Sequence, residues 1–372
     1  MNRDTKPKIP VVIITGFLGS GKTTLLNHLV KQPHMKMTAI IINEFGEIGI
    51  DHLLVETSSE EMIEINNGCI CCTVRGDLQD KLGSLSMWLD AGRIPPVERV
   101  IVETTGLADP APIMHTLMTD EHLLNRYRLG GVVTLVDAIA GSSSIGRYPE
   151  AVKQIAIADQ LIFSKTDLVG SLSGRDSYGQ LKERVRQINP RAVVHEIANG
   201  AVDADDLFPD ETEDTEEVLA DISQWMGSAE ETGHLADCSD HPHTHTNAHT
   251  NAHTDAHTHE ANQSGIRTFL IELDEPVDRD RFNEFMQDMA LEFGENLLRM
   301  KGLLNVADRP EKPAVVHGVQ HVFFPIRWLD RWPGEDRTSK LVFITQGLAP
   351  DAVQARFDAR SAVAQQADPL ST

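Results

Sequence analysis

Val11-Val12-Ile13-Ile14-Thr15-Gly16-Phe17-Leu18-Gly19-Ser20-Gly21-Lys22-Thr23-Thr24 decides how the rest of the chain is read. Four apolar β-branched residues predict a buried strand, and the glycine-rich turn after them runs into a helix beginning near Lys22. Gly16, Gly21, Lys22 and Thr23 fit the G-x-x-x-x-G-K-[ST] spacing of a P-loop. Glycines let consecutive backbone N–H groups turn inward around a phosphate at a helix N-terminus. Gly16, Gly19, Ser20, Gly21, Lys22, Thr23 and Thr24 are therefore the expected phosphate cradle, with Lys22 reaching the outer phosphates and the Thr23 hydroxyl placed for Mg²⁺. The expected ligand is a nucleoside triphosphate.

Composition narrows what surrounds that site. A chain of 372 residues makes two domains the natural expectation. With 33 Lys and Arg against 56 Asp and Glu, the net charge is −23. That excess argues against a nucleic-acid partner, because phosphate backbones need clustered basic residues. No apolar run approaches the roughly 18 residues of a membrane span. Residues 1–8 lack the apolar core of an export signal, so the cytoplasm is the expected compartment. Three of the four cysteines fall within Cys69-Ile70-Cys71-Cys72, which points to metal or redox chemistry more than to a disulfide framework.

Read in order, the chain alternates strand and helix. A second apolar strand, 38–42, ends in Asn43-Glu44-Phe45-Gly46-Glu47-Ile48-Gly49-Ile50-Asp51. Polar and glycine residues after a buried strand beside a P-loop belong over the phosphates, where a mobile segment would act as a switch. An ordinary acidic loop is the plainer alternative. A short strand at 62–65 leads into the cysteine cluster, whose thiolates suit Zn²⁺ or other late transition metals. Three thiols this close cannot all wrap one ion with relaxed geometry, so a site would need outside ligands, and the Glu44/Glu47 segment supplies candidates. Buried small cysteines are the alternative.

A helix is expected over 74–90, and a strand over 99–102 closes on Glu103-Thr104-Thr105-Gly106. A carboxylate at that position is the Walker-B arrangement, holding Mg²⁺ directly or through water, and Gly106 can bring a backbone N–H to the γ-phosphate. Strand 131–136 and helix 149–157 continue the alternation. The strand at 160–163 ends in Ser164-Lys165-Thr166-Asp167, which resembles the [N/T/S]-K-x-D guanine-recognition element of GTPases. Asp167 would accept from guanine N1–H and the exocyclic amine, and the Lys165 stem would lie across the base. Ser164 stands where most GTPases have Asn. Serine is shorter, so loss of a base or P-loop contact is expected. Helix 178–188 and strand 192–196 complete the domain.

Residues 203–217 are crowded with carboxylates, and 228–264 form a low-complexity tract carrying His241, His243, His245, His249, His253, His257 and His259. Thr and Asn are poor helix formers and apolar anchors are few, so this tract reads as a flexible linker able to bind metal loosely. From Gly265 a second domain is expected, with strands at 266–273, 297–306, 314–317, 321–326 and 340–344. Its helices are expected at 278–292 and 351–365. His317 and His321 read as structural. The expected boundaries are 9–227, 228–264, 265–349, and 350–372 for a terminal helix and tail.

Together these residues resemble the CobW-type GTPases, relatives of the nickel chaperones that mature urease and hydrogenase, and most of all the YjiA and zinc-chaperone branch. The resemblance rests on GFLGSGKTT at 16–24, NEFGEIGID at 43–51, GCICC at 68–72, ETTGLADPAPI at 103–113 and SKTD at 164–167. In the C-terminal half it rests on RMKGLL at 299–304, VVHGVQ at 315–320 and LVFITQGL at 341–348. It implies an α/β P-loop NTPase with a mostly parallel, doubly wound sheet and a smaller α+β C-terminal domain. It also implies GTP hydrolysis with Mg²⁺ and nucleotide-dependent metal binding at the CxCC cluster. Carried over, Cys69, Cys71 and Cys72 would be the thiolate ligands, with Glu47 and Glu44 as oxygen ligands. Lys22, Thr23, Glu103 and Asp167 keep their nucleotide roles. Asp51 and Glu44 are the carboxylates considered for orienting the attacking water. Some members carry a glutamate just before the switch asparagine; here that position is Ile42, so the second metal site of such members lacks that ligand.

The expected activity is a slow GTPase that delivers a divalent metal, zinc foremost, to a client metalloprotein. The sequence is compatible with a homo-oligomer. Cobalt handling for cobalamin synthesis is the nearest alternative, since affinity order alone selects neither ion in the cell. A metal buffer with a regulatory nucleotide site is the alternative from another class, and an ATP-dependent kinase is disfavoured by Asp167. Replacing Asp167 by Asn should move the preference from GTP toward xanthosine triphosphate in a competition binding assay. A wild type that binds ATP better than GTP would contradict the base-recognition reading.

Overall fold

The computed structural model describes residues 7–43, 56–59, 62–65, 69–72, 78–170, 172–208 and 265–365. The chain divides into two compact units, 1–214 and 215–372. The expected switch residues Glu44, Glu47 and Asp51, and the histidine tract, lie outside the described residues.

The first unit is built on a nine-stranded sheet. Its centre is β1 (Ile9–Gly16), flanked by β6 (Arg99–Thr104) and β7 (Tyr127–Asp137), both parallel to it. Beyond β6 come β2 (Thr38–Asn43) and β5 (Cys69–Cys72), and beyond β7 come β8 (Gln160–Ser164) and β9 (Val193–Glu196), all parallel. Strands β3 (Glu56–Ser59) and β4 (Met62–Ile65) extend one edge antiparallel. Val11, Ile13 and Ile14 of β1 are fully buried, and Val12 nearly so. Burial on both faces is why this strand reads as an unbroken apolar run rather than an alternation.

Crossover helices cover the sheet. Helix α1 (Lys22–Leu29) lays Leu25, Leu26 and Leu29 against Ile14, Ile101 and Leu135. The others are α2 (Leu78–Asp90), α3 (Ala111–Thr119), α4 (Glu121–Arg126), α5 (Gly141–Arg147), α6 (Pro149–Ala156), α7 (Leu172–Ile188) and α8 (Ala204–Leu207). Because βαβ crossovers keep the strands parallel, all seven carboxyl ends of the parallel set reach one edge of the sheet, where open α/β sheets bind ligands.

The second unit is α+β. Strands β10 (Ile266–Leu273), β15 (Ser339–Gln346), β11 (Leu297–Leu304), β12 (Ala314–Val319) and β13 (Val322–Phe323) lie in that order, antiparallel, with β14 (Arg327–Trp328) pairing β12. Phe282, Phe285 and Met289 of α9 (Arg279–Phe293) and Val353 of α10 (Pro350–Gln365) share one core with Phe269, Met300 and Phe343. The terminal helix thus packs within this domain's core. Of the single strand expected over 321–326 only Val322–Phe323 forms, because Pro325 has no N–H to donate to a ladder, and Arg327–Trp328 pairs separately beyond it. His317 stacks on Phe324 with ring centroids 4.1 Å apart, as a structural histidine would. No described helix is long and apolar enough to cross a membrane.

One buried side chain ties the helices behind the phosphate edge together. Asn189, just past α7, donates from Nδ2 to the carbonyls of Ile155 and Ala158 at 2.9 Å each, and its Oδ1 accepts from the N–H groups of Arg191 and Ala192. Asn189→Ala strands these buried groups and should destabilise the chain by about 2–4 kcal/mol. The shift in urea midpoint, followed by circular dichroism, reads it; a change below about 0.5 kcal/mol, the range of ordinary surface substitutions, would contradict the assignment.

Candidate nucleotide and metal site

The P-loop turns at the carboxyl end of β1. Gly16, Gly19 and Gly21 all have positive φ, and Gly21 is the N-cap of α1. With these angles the loop curls over the helix N-terminus, whose unpaired N–H groups and dipole favour anions. Lys22, 9 % exposed, folds back so that its Nζ donates to the Gly16 carbonyl at 2.8 Å. The Thr23 hydroxyl donates to Glu103 Oε1 at 3.2 Å, and Glu103 is itself buried at the end of β6. Register places Ile14 opposite Glu103 and Ile42 opposite Glu103 on the other side, so three strands deliver their ends to one point. Below it, the Thr104 hydroxyl donates to Thr15 Oγ1 at 2.8 Å and clamps β6 to β1.

Gly106 is pressed against the P-loop. A Cβ there would lie 2.7 Å from the Leu18 nitrogen and 2.8 Å from its Cα, so only glycine lets this loop approach the cradle.

The turn expected to recognise the base sits where β8 ends. The P-loop contact expected to be lost with Ser164 is present: its hydroxyl donates to the Ser20 carbonyl at 2.6 Å and is buried. Ser164 directly follows the β8 core, close enough to Ser20 that a short side chain suffices. Asp167, exposed, accepts from the Asn199 N–H at 3.2 Å, and Thr166 donates to the Ile197 carbonyl, so the turn after β9 orients the carboxylate. Lys165 adopts a left-handed conformation, φ +59°, and its ammonium donates to Asp137 Oδ2 at 2.6 Å.

Asp137 is a site residue the sequence reading missed. Its Oδ1 accepts from the N–H groups of Ile139 and Ala140. Burial alone would raise its carboxyl, but the Lys165 ammonium and those two amides outweigh that and hold it below the ordinary value. It remains a carboxylate through neutral pH and fixes the lysine beside the base-recognition turn. An acidic residue closing a buried strand was the signal available.

The cysteine cluster forms β5, and its backbone register is informative. Ile40 lies opposite Cys71 and Ile41 opposite Cys72, while the next residue, Ile42, lies opposite Glu103. Strands lie about 4.8 Å apart, so the Cys72 backbone stands two strand spacings, roughly 10 Å, from the strand carrying Glu103. The shared neighbour is β2, whose end leads into the expected switch, and Lys81 of α2 donates to the Ile42 carbonyl at 3.3 Å. The side chains of Cys69, Cys71 and Cys72 lie outside what is described.

Removing the Ser164 hydroxyl tests the tether. Ser164→Ala should weaken a non-hydrolysable GTP analogue about two- to tenfold, the worth of one net hydrogen bond, and leave the GTP-to-ATP preference unchanged. Calorimetric titration showing unaltered affinity would mean the tether does not support the cradle.

Comparison with known proteins places this arrangement. Residues 10–196 match the family model described as CobW/HypB/UreG, nucleotide-binding domain, and residues 266–360 match the cobalamin synthesis protein cobW C-terminal domain. The zinc chaperone YjiA of Escherichia coli strain K12 is 33 % identical over 350 residues, 94 % of this chain and 98 % of that protein. The zinc-regulated GTPase metalloprotein activator 1 of Schizosaccharomyces pombe is 33 % identical over 211 residues, 54 % of this chain and 48 % of that protein. Among solved structures, the Zn(II)-bound YjiA GTPase from E. coli superposes with a TM-score of 0.67 at 32 % identity, covering 95 % of this chain and 99 % of that one. The fold is that of a P-loop NTPase with a separate antiparallel C-terminal domain, and the chain belongs to the CobW/HypB/UreG family.

Proposed function

We propose that this chain is a GTP-hydrolysing metallochaperone that carries a divalent ion, zinc first, on Cys69, Cys71 and Cys72 and passes it to a client metalloprotein. The observation that supports this best is the shared edge. The strand holding the thiols ends at Cys72, in register through Ile41 with Val102, one residue before Glu103, and in sequence β2 between them is followed by Glu44–Asp51. β2 itself is flanked by the strand of Glu103 on one side and the strand of the three cysteines on the other. The relatives' names, zinc chaperone and GTPase metalloprotein activator, support the same reading.

The P-loop amides and Lys22 hold the phosphates, and Asp167 and Lys165 select guanine. The Thr23 hydroxyl and Glu103 carboxylate are hard oxygen donors within 3.2 Å of each other, a pair that fits Mg²⁺. Bound there, Mg²⁺ would neutralise phosphate charge. Thiolates are soft donors and suit the cargo ion instead, so the two metals are sorted by ligand chemistry. Glu47 and Glu44 complete the cargo site when GTP orders the switch, and Asp51 or Glu44 orients the attacking water. Loss of the γ-phosphate releases the switch and loosens the ion.

The experiment is a zinc titration of purified protein with GDP and with a non-hydrolysable GTP analogue, in wild type and Cys71→Ala. The expected result is at least about fivefold tighter zinc with the analogue, the lower end of usual coupling energies, abolished in Cys71→Ala. Equal affinity in both nucleotide states, or retention of the difference without Cys71, would contradict the reading.

A further inference from the structure

Gln154 on α6 is 1 % exposed, yet its amide is spent outside its own helix. Nε2 donates to the Ala108 carbonyl at 2.9 Å and to the Gly106 carbonyl at 3.4 Å. These two acceptors fix the amide's orientation, because a flipped amide would set its oxygen against both carbonyls. The oxygen, Oε1, is buried and accepts from no described group of the protein; it lines a cavity behind the P-loop together with Ser20, whose hydroxyl is also buried and unpartnered. Leaving a buried acceptor unmade is costly, and an apolar side chain of the same length would fill the space without that cost. The amide is therefore explained by what its nitrogen holds.

What it holds is the loop after Glu103. The preceding residue, Lys153, reaches Asp109 of the same loop at 3.4 Å. At the other end of α6, its N-cap Tyr148 packs on Phe17 of the P-loop, ring centroids 4.6 Å apart. Helix α6 is itself held in place: Thr134 donates to the Gln154 carbonyl at 2.8 Å, and Asn189 donates to Ile155. One fixed helix thus grips both the cradle and the loop pressed against it.

We propose that Gln154 is a positioning residue that pre-sets the Gly106–Ala108 backbone for a γ-phosphate, and so determines how strongly the chain prefers a nucleoside triphosphate to a diphosphate. Holding the two carbonyls restricts rotation about Gly106, the residue with the most freedom to lose. Its N–H then needs no ordering when a triphosphate arrives, and pre-organisation of this kind adds to affinity. A diphosphate makes no contact at that position and gains nothing. The inference rests on the GTPase reading above.

The test compares dissociation constants for GDP and a non-hydrolysable GTP analogue in wild type, Gln154→Met and Gln154→Glu, with thermal midpoints recorded alongside. Methionine keeps the length and removes the donor; glutamate at neutral pH turns an oxygen toward both carbonyls. The expected result is a preference for the analogue reduced about threefold in Gln154→Met and about tenfold or more in Gln154→Glu, with GDP affinity held within about twofold. Parallel loss of both affinities, or a lowered thermal midpoint with the preference intact, would mean a purely structural role and overturn the proposal. A wild type that binds neither nucleotide would overturn the GTPase reading and this inference with it. A wild type that prefers the analogue, alongside a Gln154→Met that keeps the preference, would overturn this inference alone.

Discussion

No side chain fits at residue 16. A Cβ on Gly16 would lie 2.6 Å from the Leu135 carbonyl oxygen and 2.7 Å from Ser20 Oγ, so the chain leaves β1 only by way of glycine. The turn made there sets the start of α1, brings Lys22 back over the loop, and presents the Ser20 carbonyl to Ser164. Neighbouring groups are placed relative to that turn: Glu103 by strand register, Gly106 by contact with Leu18, and the base-recognition element through the Ser164 hydroxyl.

A parallel sheet brings two candidate sites to one edge. The parallel strands all finish on the same side, so the cysteine strand and the P-loop share an edge, separated by β6 and β2. Of these, β2 has one neighbour on each business: β6 with Glu103, and β5 with the thiols. Coupling between two ligands requires an element whose arrangement both can bias. In the proposed function the sequence that follows β2 takes that part.

Much of this was legible in the sequence because it is local. The P-loop, the carboxylate closing β6 and the Ser164–Asp167 turn each declare themselves within a few residues, and each falls at a strand end as anticipated. What escaped depends on distance along the chain. Asp137 acquires its meaning from Lys165, and Gln154 from Gly106 and Ala108, partners that no spacing rule connects. Strand β7 runs from Tyr127, earlier than the expected 131, because Gly130 and Gly131 look like breakers in sequence. In the fold they are accommodated beside β1, where a Cβ on Gly130 would meet Pro10 at 2.9 Å. Helix α7 likewise begins at Leu172, ahead of the expected 178, through a Ser- and Gly-containing first turn whose propensity is weak. At Ser164 side-chain length alone predicts loss of a base or P-loop contact, and the P-loop contact is present because Ser20 lies close by, a proximity that a sequence does not display.

The central claim is that metal on the thiols and nucleotide in the cradle feel one another. Thermodynamic linkage makes that claim testable from the nucleotide side. Affinity for a non-hydrolysable GTP analogue should be measured at saturating Mg²⁺, first metal-free and then with one equivalent of zinc. The account predicts that zinc tightens the analogue by the same factor by which the analogue tightens zinc. An analogue affinity indifferent to zinc would contradict it and leave a nucleotide hydrolase with no delivery mechanism.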